Sequence, residues 1–196
     1  LQRSVRTPEQ TDLAYFYADN TILLWNRALR NVSNAYVTDI SDSSRLFALA
    51  SMAVADALIT CWDSKYHYVF WRPVTAIQEG DNDGNSQTIG DPTWQPLINT
   101  PNYPEHTSGA NNITAAMTRT IEMFFRTDKI PFIFTSNFPL AVQKTRTYAN
   151  LSDAAQDVVD ARIYLGIHFR TADEVGRRQW RQVAQWAFTH FLRPIK

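Results

Sequence analysis

Cysteine is nearly absent. Cys61 stands alone in 196 residues, which excludes an internal disulfide framework and any cysteine-rich zinc site and leaves the redox compartment open. Its neighbours Ile59 and Trp62 predict a buried thiol. Net charge is missing too: 19 Lys and Arg balance 19 Asp and Glu. The chain therefore lacks the footprint of a nucleic-acid or membrane-surface binder, and a bound anion has to be held by local geometry. No uninterrupted apolar run reaches the roughly twenty residues of a membrane span, and no signal peptide opens the chain. Leu1 stands where Met is expected, the reading for a processed or trimmed product with an upstream segment missing before residue 1. The compartment stays open, with extracellular or periplasmic favoured. Internal repeats, low-complexity segments and interdomain linkers are absent, and the 44% hydrophobic content fits one globular domain over 1–196.

What is present is mostly helical periodicity. Thr7-Pro8-Glu9-Gln10 is a capping box with proline at the first helical position, opening a helix to about Ala18. Ile22, Leu23, Trp25, Leu29 and Val32 give a second over 20–34. From Ser41-Asp42 to Trp62 the apolar residues run nearly all round, which predicts a central helix buried on most faces. Lys65 and Arg72 stand seven apart, on one helical face, before Pro73 closes the segment. Between Gly80 and Tyr103 the chain reads as a long ordered loop. Asp81, Asp83 and Asn85 resemble a calcium loop, but Ser86 and Pro92 replace its glycine and glutamate, so a plain turn is expected. Pro131–Thr135 predicts a short strand, Ser152-Asp153 caps a helix ending at Gly166, and Thr171–Glu174 forms a capping box for a last helix stopped by Arg193-Pro194. The sum is an all-α helical bundle.

The stretch with most chemical promise is Pro104-Glu105-His106-Thr107-Ser108-Gly109-Ala110, a loop that becomes a helix start. Free backbone N–H groups and the positive dipole end make such a start an anion site. Arg162 lies on the apolar stripe of its own helix, where a guanidinium is costly unless an anion or carboxylate meets it. Asp157 or Asp160 of the same helix would be its ordinary partner. His168 follows just past Gly166. Lys65, Arg72, Arg162, His168 and the Ser108-Gly109 start together supply what a tetrahedral oxyanion requires: guanidinium forks, an ammonium, a hydroxyl, amide donors and a nucleophile.

Lys65 to Arg72-Pro73, then Ser108-Gly109, then Arg162 to His168 resembles the three-part signature of the vanadium-dependent haloperoxidase and type 2 phosphatidic acid phosphatase superfamily. Phe70-Trp71-Arg72-Pro73 and Gly166-Ile167-His168-Phe169-Arg170 are similar to the soluble haloperoxidase branch. The resemblance implies the helical bundle of that superfamily, with the active-site bundle over about 42–194. It implies an oxyanion held by Lys65, Arg72, Ser108, Gly109 and Arg162. His168 would ligate the vanadium of vanadate in a haloperoxidase that uses peroxide to oxidise halide, or attack phosphorus in a metal-free acid phosphatase acting on a phosphoester. It also implies that a half-length chain exposes an apolar face for a second copy or for a lost upstream helical bundle; the balanced charge and the lack of a long apolar run predict no nucleic-acid partner and no membrane span.

The sequence departs from the family at its middle motif. Thr107-Ser108-Gly109-Ala110 replaces Pro-Ser-Gly-His, removing a histidine whose acid-base help is worth about a hundredfold to ten-thousandfold. His106 is the neighbouring substitute, and a degenerate phosphate-binding or structural relative is the remaining reading. Ala161 replaces a serine. The acid that orients the family's histidine falls at Asp173, five residues after His168, where it serves either that histidine or its own helix start. Tyr66, Tyr68, Phe70 and Trp71 are expected in the core, and Arg177, Arg178 and Arg181 on a solvated face.

Overall fold

A computed structural model describes residues 5–193. Helices α1 (Pro8–Phe16), α2 (Thr21–Tyr36), α3 (Ile40–Tyr68), α4 (Pro73–Gln78), α5 (Gly109–Phe125), α6 (Leu151–Leu165) and α7 (Arg170–His190) dominate. Two short strands, β1 (Phe132–Thr135) and β2 (Thr145–Tyr148), pair antiparallel with Phe132 opposite Tyr148. The chain is thus a mostly helical bundle, and Pro194, expected to stop α7, lies outside the described residues.

The bundle centre is α3, α5 and α7, with α6 beside α5 and α1 against α6. On α3 the residues Leu46, Ala50, Ala53, Ala57 and Cys61 recur at three- and four-residue steps and are all buried. Three alanines in that stripe let α5 approach closely. On α7, Ala172, Gly176, Trp180, Ala184 and Ala187 form the facing stripe. Gly176 marks the tightest approach, since a Cβ there would stand 2.5 Å from Asn112 Oδ1 and 3.3 Å from the Ser108 carbonyl oxygen. Trp25 of α2 donates its indole N–H to Thr114 Oγ1 of α5 at 2.9 Å, stacks on Phe132 and meets Phe134 edge to face, both of β1, which pins the hairpin to the bundle.

Several expectations are corrected here. Helix α3 starts earlier, with Asp39 as N-cap, and runs through Lys65 to Tyr68. By length and composition the segment Ile40–Gln78, which includes α3, is apolar enough to cross a membrane, with a mean hydropathy of 1.5 over an 18-residue window, although the buried stripe of α3 is the core of this bundle. Val69 then takes a left-handed conformation and ends it, so Arg72 becomes the N-cap of α4 and does not share a helical face with Lys65. Tyr66 and Tyr68 are 64% and 61% exposed, and with Ile59, Val69, Phe70 and Trp71 they form an aromatic and apolar surface rather than core. The periodicity misled because residues 66–71 lie where α3 leaves its neighbours. Helix α6 is capped from a distance by Asp128, whose carboxylate accepts from the Ser152 amide and hydroxyl. Helix α7 begins at Arg170 with Phe169 as N-cap, and no side chain caps it, so Thr171 does not close a capping box.

Candidate functional site

The α3 stripe delivers Lys65 one turn beyond Cys61, and at 1% exposure its ammonium is inside the protein. A buried ammonium needs acceptors, and it donates to the carbonyl oxygens of Pro104 (3.0 Å), Glu105 (3.0 Å) and Thr107 (2.6 Å). These are as many bonds as it has protons. Burial first, and then the charges of Arg72 and Arg162, bring its pKa down to about 8 against the opposing pull of Cys61 and Glu105.

Arg72 precedes a proline, is therefore extended, and turns back under the same loop. Its Nε donates to the Tyr103 carbonyl oxygen at 3.0 Å, and Nη1 donates to the Ile167 carbonyl oxygen at 2.8 Å. The same Nη1 stands 3.2 Å from His168 Nε2. The Tyr103 ring lies under both cations, 5.2 Å from Lys65 Nζ and 5.1 Å from Arg72 Cζ.

Arg162 and His168 come from the C-terminal end of α6. Gly166 ends that helix at φ 76°, a left-handed conformation that favours glycine, and Trp94 packs so closely that a Cβ there would sit 2.9 Å from its ring. The turn brings His168 back beside Arg162. Arg162 donates from Nη1 to the Tyr17 carbonyl oxygen at 3.2 Å, while its buried Nε has no partner. The expected carboxylates are engaged elsewhere: Asp157 accepts from Tyr148 and Asp160 from Arg170. Burial first, and then Arg162, Arg72 and Lys65, hold the His168 imidazole well below its ordinary pKa, so it is neutral.

Helix α5 begins with Ser108 as N-cap but with no side-chain cap bond, which leaves its first-turn amides uncapped. The Ser108 side chain is fully buried. Its hydroxyl accepts from Asn111 Nδ2 at 3.3 Å, in the α5–α7 interface beside Asp173. A cavity of about 340 Å³ opens at this helix start. Its polar wall is Lys65, Arg162, His168 and Gly109; Leu58, Trp62, Ile98, Tyr103, Ala110 and Ile113 supply apolar and aromatic surface. Asp19 and Asn20, between α1 and α2, and Thr21, the first residue of α2, close another side.

The structure therefore gathers Lys65, Gly109, Arg162 and His168 around one cavity, with Arg72 against His168 outside the lining and Ser108 adjacent but turned away. Asp173 does not reach His168. It accepts from Asn111 Nδ2 at 2.8 Å, and burial pushes its carboxyl up to about 7. His106 is half-buried and packs edge-on to Tyr68 at 5.3 Å, outside the cavity wall. The residue that sequence reasoning missed is Glu105. Its Oε1 lies 2.8 Å from His168 Nδ1 and accepts the Phe169 amide at 2.9 Å, and burial raises its pKa. An acid within the loop that feeds a cluster of cations was the available signal. Among the described residues no group of three or more His, Cys, Asp or Glu side chains is arranged to hold a metal ion.

Comparison with known proteins bears on the fold and the family. The chain is 27% identical over 151 residues to the vanadium chloroperoxidase of Curvularia inaequalis, covering 64% of this chain and 24% of that protein. Among solved structures, a bacterial vanadium-dependent iodoperoxidase superposes with TM-score 0.80 at 28% identity, over 92% of this chain and 43% of that one. The apo form of a bacterial vanadium-dependent chloroperoxidase shares the fold with TM-score 0.78 at 17% identity, over 94% and 44%. The chain thus spans about a quarter of the curated relative and under half of the solved structures. The family model for the VCPO second helical-bundle domain matches residues 45–196, three quarters of the sequence and every cavity residue from Leu58 onward. This chain belongs to that haloperoxidase-like family.

Proposed function

We propose that the cavity is a tetrahedral-oxyanion site and that the chain works as a vanadate-dependent, haloperoxidase-like enzyme. The observation that carries the reading is Arg162. A buried guanidinium nitrogen without a partner is expensive, and this one belongs to a side chain that lines a cavity beside a bare helix start and a neutral histidine. An oxyanion relieves that cost.

The residues present fit vanadate. His168 offers Nε2, Arg162 offers its free Nε, and the Gly109 amide and the α5 dipole face the same space. Lys65 and Arg72 join when they exchange a loop carbonyl for an anion oxygen, a swap between acceptors that keeps their protons paired. Ser108 joins by rotating its hydroxyl away from Asn111. Vanadate, when bound, supplies the activation of hydrogen peroxide for oxidation of a halide. The protein's part is to hold negative charge among fixed donors, to keep the imidazole neutral, and to exclude water from one side.

A second reading has its own observation. Arg72 donates toward His168 Nε2, so this nitrogen carries a lone pair and can attack phosphorus. The nitrogen–phosphorus bond forms as the ester oxygen leaves, and that oxygen then needs a proton. The Ala110 methyl has none to give, and His106 faces Tyr68. Hydrolysis through a phosphohistidine is therefore the less equipped chemistry, and a degenerate site that only binds phosphate is the limit of this argument.

Calorimetric titration with orthovanadate, followed by peroxide-dependent halide oxidation and phosphomonoester hydrolysis assays, tests these readings. Vanadate binding with halide oxidation is the expected result. Binding without turnover, restored by Ala110→His, assigns the degenerate site. No binding of vanadate or phosphate removes all of them.

A further inference from the structure

We propose that Glu105 is the positioning residue of His168: its carboxylate fixes the imidazole as the Nδ1–H tautomer, and Lys65 locks the loop that carries it.

Two contacts on opposite sides of the ring give the same tautomer. Glu105 Oε1 already accepts the Phe169 amide at 2.9 Å, so at 2.8 Å from Nδ1 it acts again as acceptor and Nδ1 bears the proton. On the far side, Arg72 Nη1 lies 3.2 Å from Nε2, and a guanidinium has donors only, so Nε2 is unprotonated. Glu105 and His168 are 1% and 6% exposed, and no solvent competes for either bond. The family resemblance would place this duty on an acid following the histidine, but Asp173 is bonded to Asn111 instead. Glu105 fills the role from the other side, out of the loop before α5.

Its loop is held with unusual firmness. Lys65 bonds the carbonyls of Pro104, Glu105 and Thr107, while Arg72 Nε holds the Tyr103 carbonyl. The Glu105 amide in turn donates to the Phe70 carbonyl oxygen at 3.0 Å. With its protons on the loop, Lys65 acts on His168 through Glu105 as well as on any anion. The Glu105–His168 pairing stands without a ligand; only the affinity of the site for vanadate rests on the oxyanion reading.

The test uses protein labelled with ¹⁵N at histidine, with the His168 signals assigned by their loss in His168→Asn. In the wild type, long-range ¹H–¹⁵N spectra are expected to show a protonated Nδ1 and a bare Nε2. Glu105→Gln keeps an acceptor oxygen without the charge, so the tautomer persists while the Nδ1 proton moves upfield. Glu105→Ala mixes the tautomers and weakens orthovanadate binding by about 10- to 100-fold, the usual effect of removing a partner that orients a ligand. Lys65→Met shifts the same signals. A wild-type His168 protonated on Nε2 overturns the proposal, as does an unmoved Nδ1 proton in Glu105→Gln. Should Glu105→Ala fail to fold by circular dichroism, those two measurements still decide. Wild-type protein that binds no orthovanadate removes the oxyanion reading, and the His168 signals judge Glu105 regardless.

Discussion

Asp173 shows how one buried carboxyl leaves a signature on the whole protein. Burial raises its pKa from about 3.8 to about 7, so between those values the folded state binds a proton that the unfolded chain has released. The associated stability is fully present below about pH 4 and is lost as pH rises to 7. Asp173→Asn keeps an acceptor for Asn111 and has no charge to bury. The variant is expected to be more stable than wild type at pH 8 by up to about 4 kcal/mol, with the difference vanishing near pH 4. Paired urea titrations at the two pH values check this; equal differences at both would remove the buried-carboxyl account. Ala110 is the other residue whose identity matters. Ala110→His restores a proton donor to the cavity wall and is expected to raise turnover by about a hundredfold or more in whichever assay the wild type is active. Steady-state kinetics with vanadate affinity measured in parallel separates that gain from a change in binding.

At the scale of elements, the site depends on how closely α5 and α7 approach. Gly176 makes room for Asn112, whose Nδ2 donates to Thr107 Oγ1 at 2.9 Å and so ties the α5 start to the loop before it. Gly176→Ala would improve helix propensity, yet its methyl meets Asn112 at 2.5 Å, so the helices must part. Overpacking of this kind costs about 1–3 kcal/mol, more than the propensity gain of about 1 kcal/mol. A lower denaturation midpoint, with weaker vanadate binding because the Ser108–Gly109 amides move, is the expected result. An unchanged midpoint would show that α7 shifts freely. The α3 boundary carries a different lesson. Apolar periodicity runs on past Tyr68 in the sequence, and Pro73 sets only a latest possible end; the left-handed turn at Val69, whose amide bonds the Lys65 carbonyl oxygen, ends the helix four residues earlier.

At the scale of the whole molecule, the site draws on α2, α3, α5, α6 and the loops before α2 and α5, so occupancy should stabilise the fold as a unit. Orthovanadate at about a hundred times its dissociation constant contributes about 2.7 kcal/mol, which for a chain of this size raises the melting temperature by about 5–10 °C. Differential scanning fluorimetry with and without orthovanadate measures it. Arg162→Ala should abolish the shift while itself melting no lower than wild type, because the removed guanidinium was incompletely paired. A shift retained in that variant would place the anion elsewhere.

The sequence by itself determined the helical character, the buried α3 and α5 stripes, and the identity of the cations and histidine brought to one cavity. These follow from local periodicity and from residue spacings that one helix or one turn converts into position. Tertiary structure alone decided which acid meets His168, where the Ser108 hydroxyl points and what Lys65 holds. Glu105 and His168 are 63 residues apart, so their pairing depends on long-range packing. Asp173, near His168 in the chain, is carried by α7 to face Asn111 instead. The exposure of Tyr66 and Tyr68 was equally beyond reach, because an aromatic run looks the same in sequence whether a neighbouring helix covers it or ends short of it.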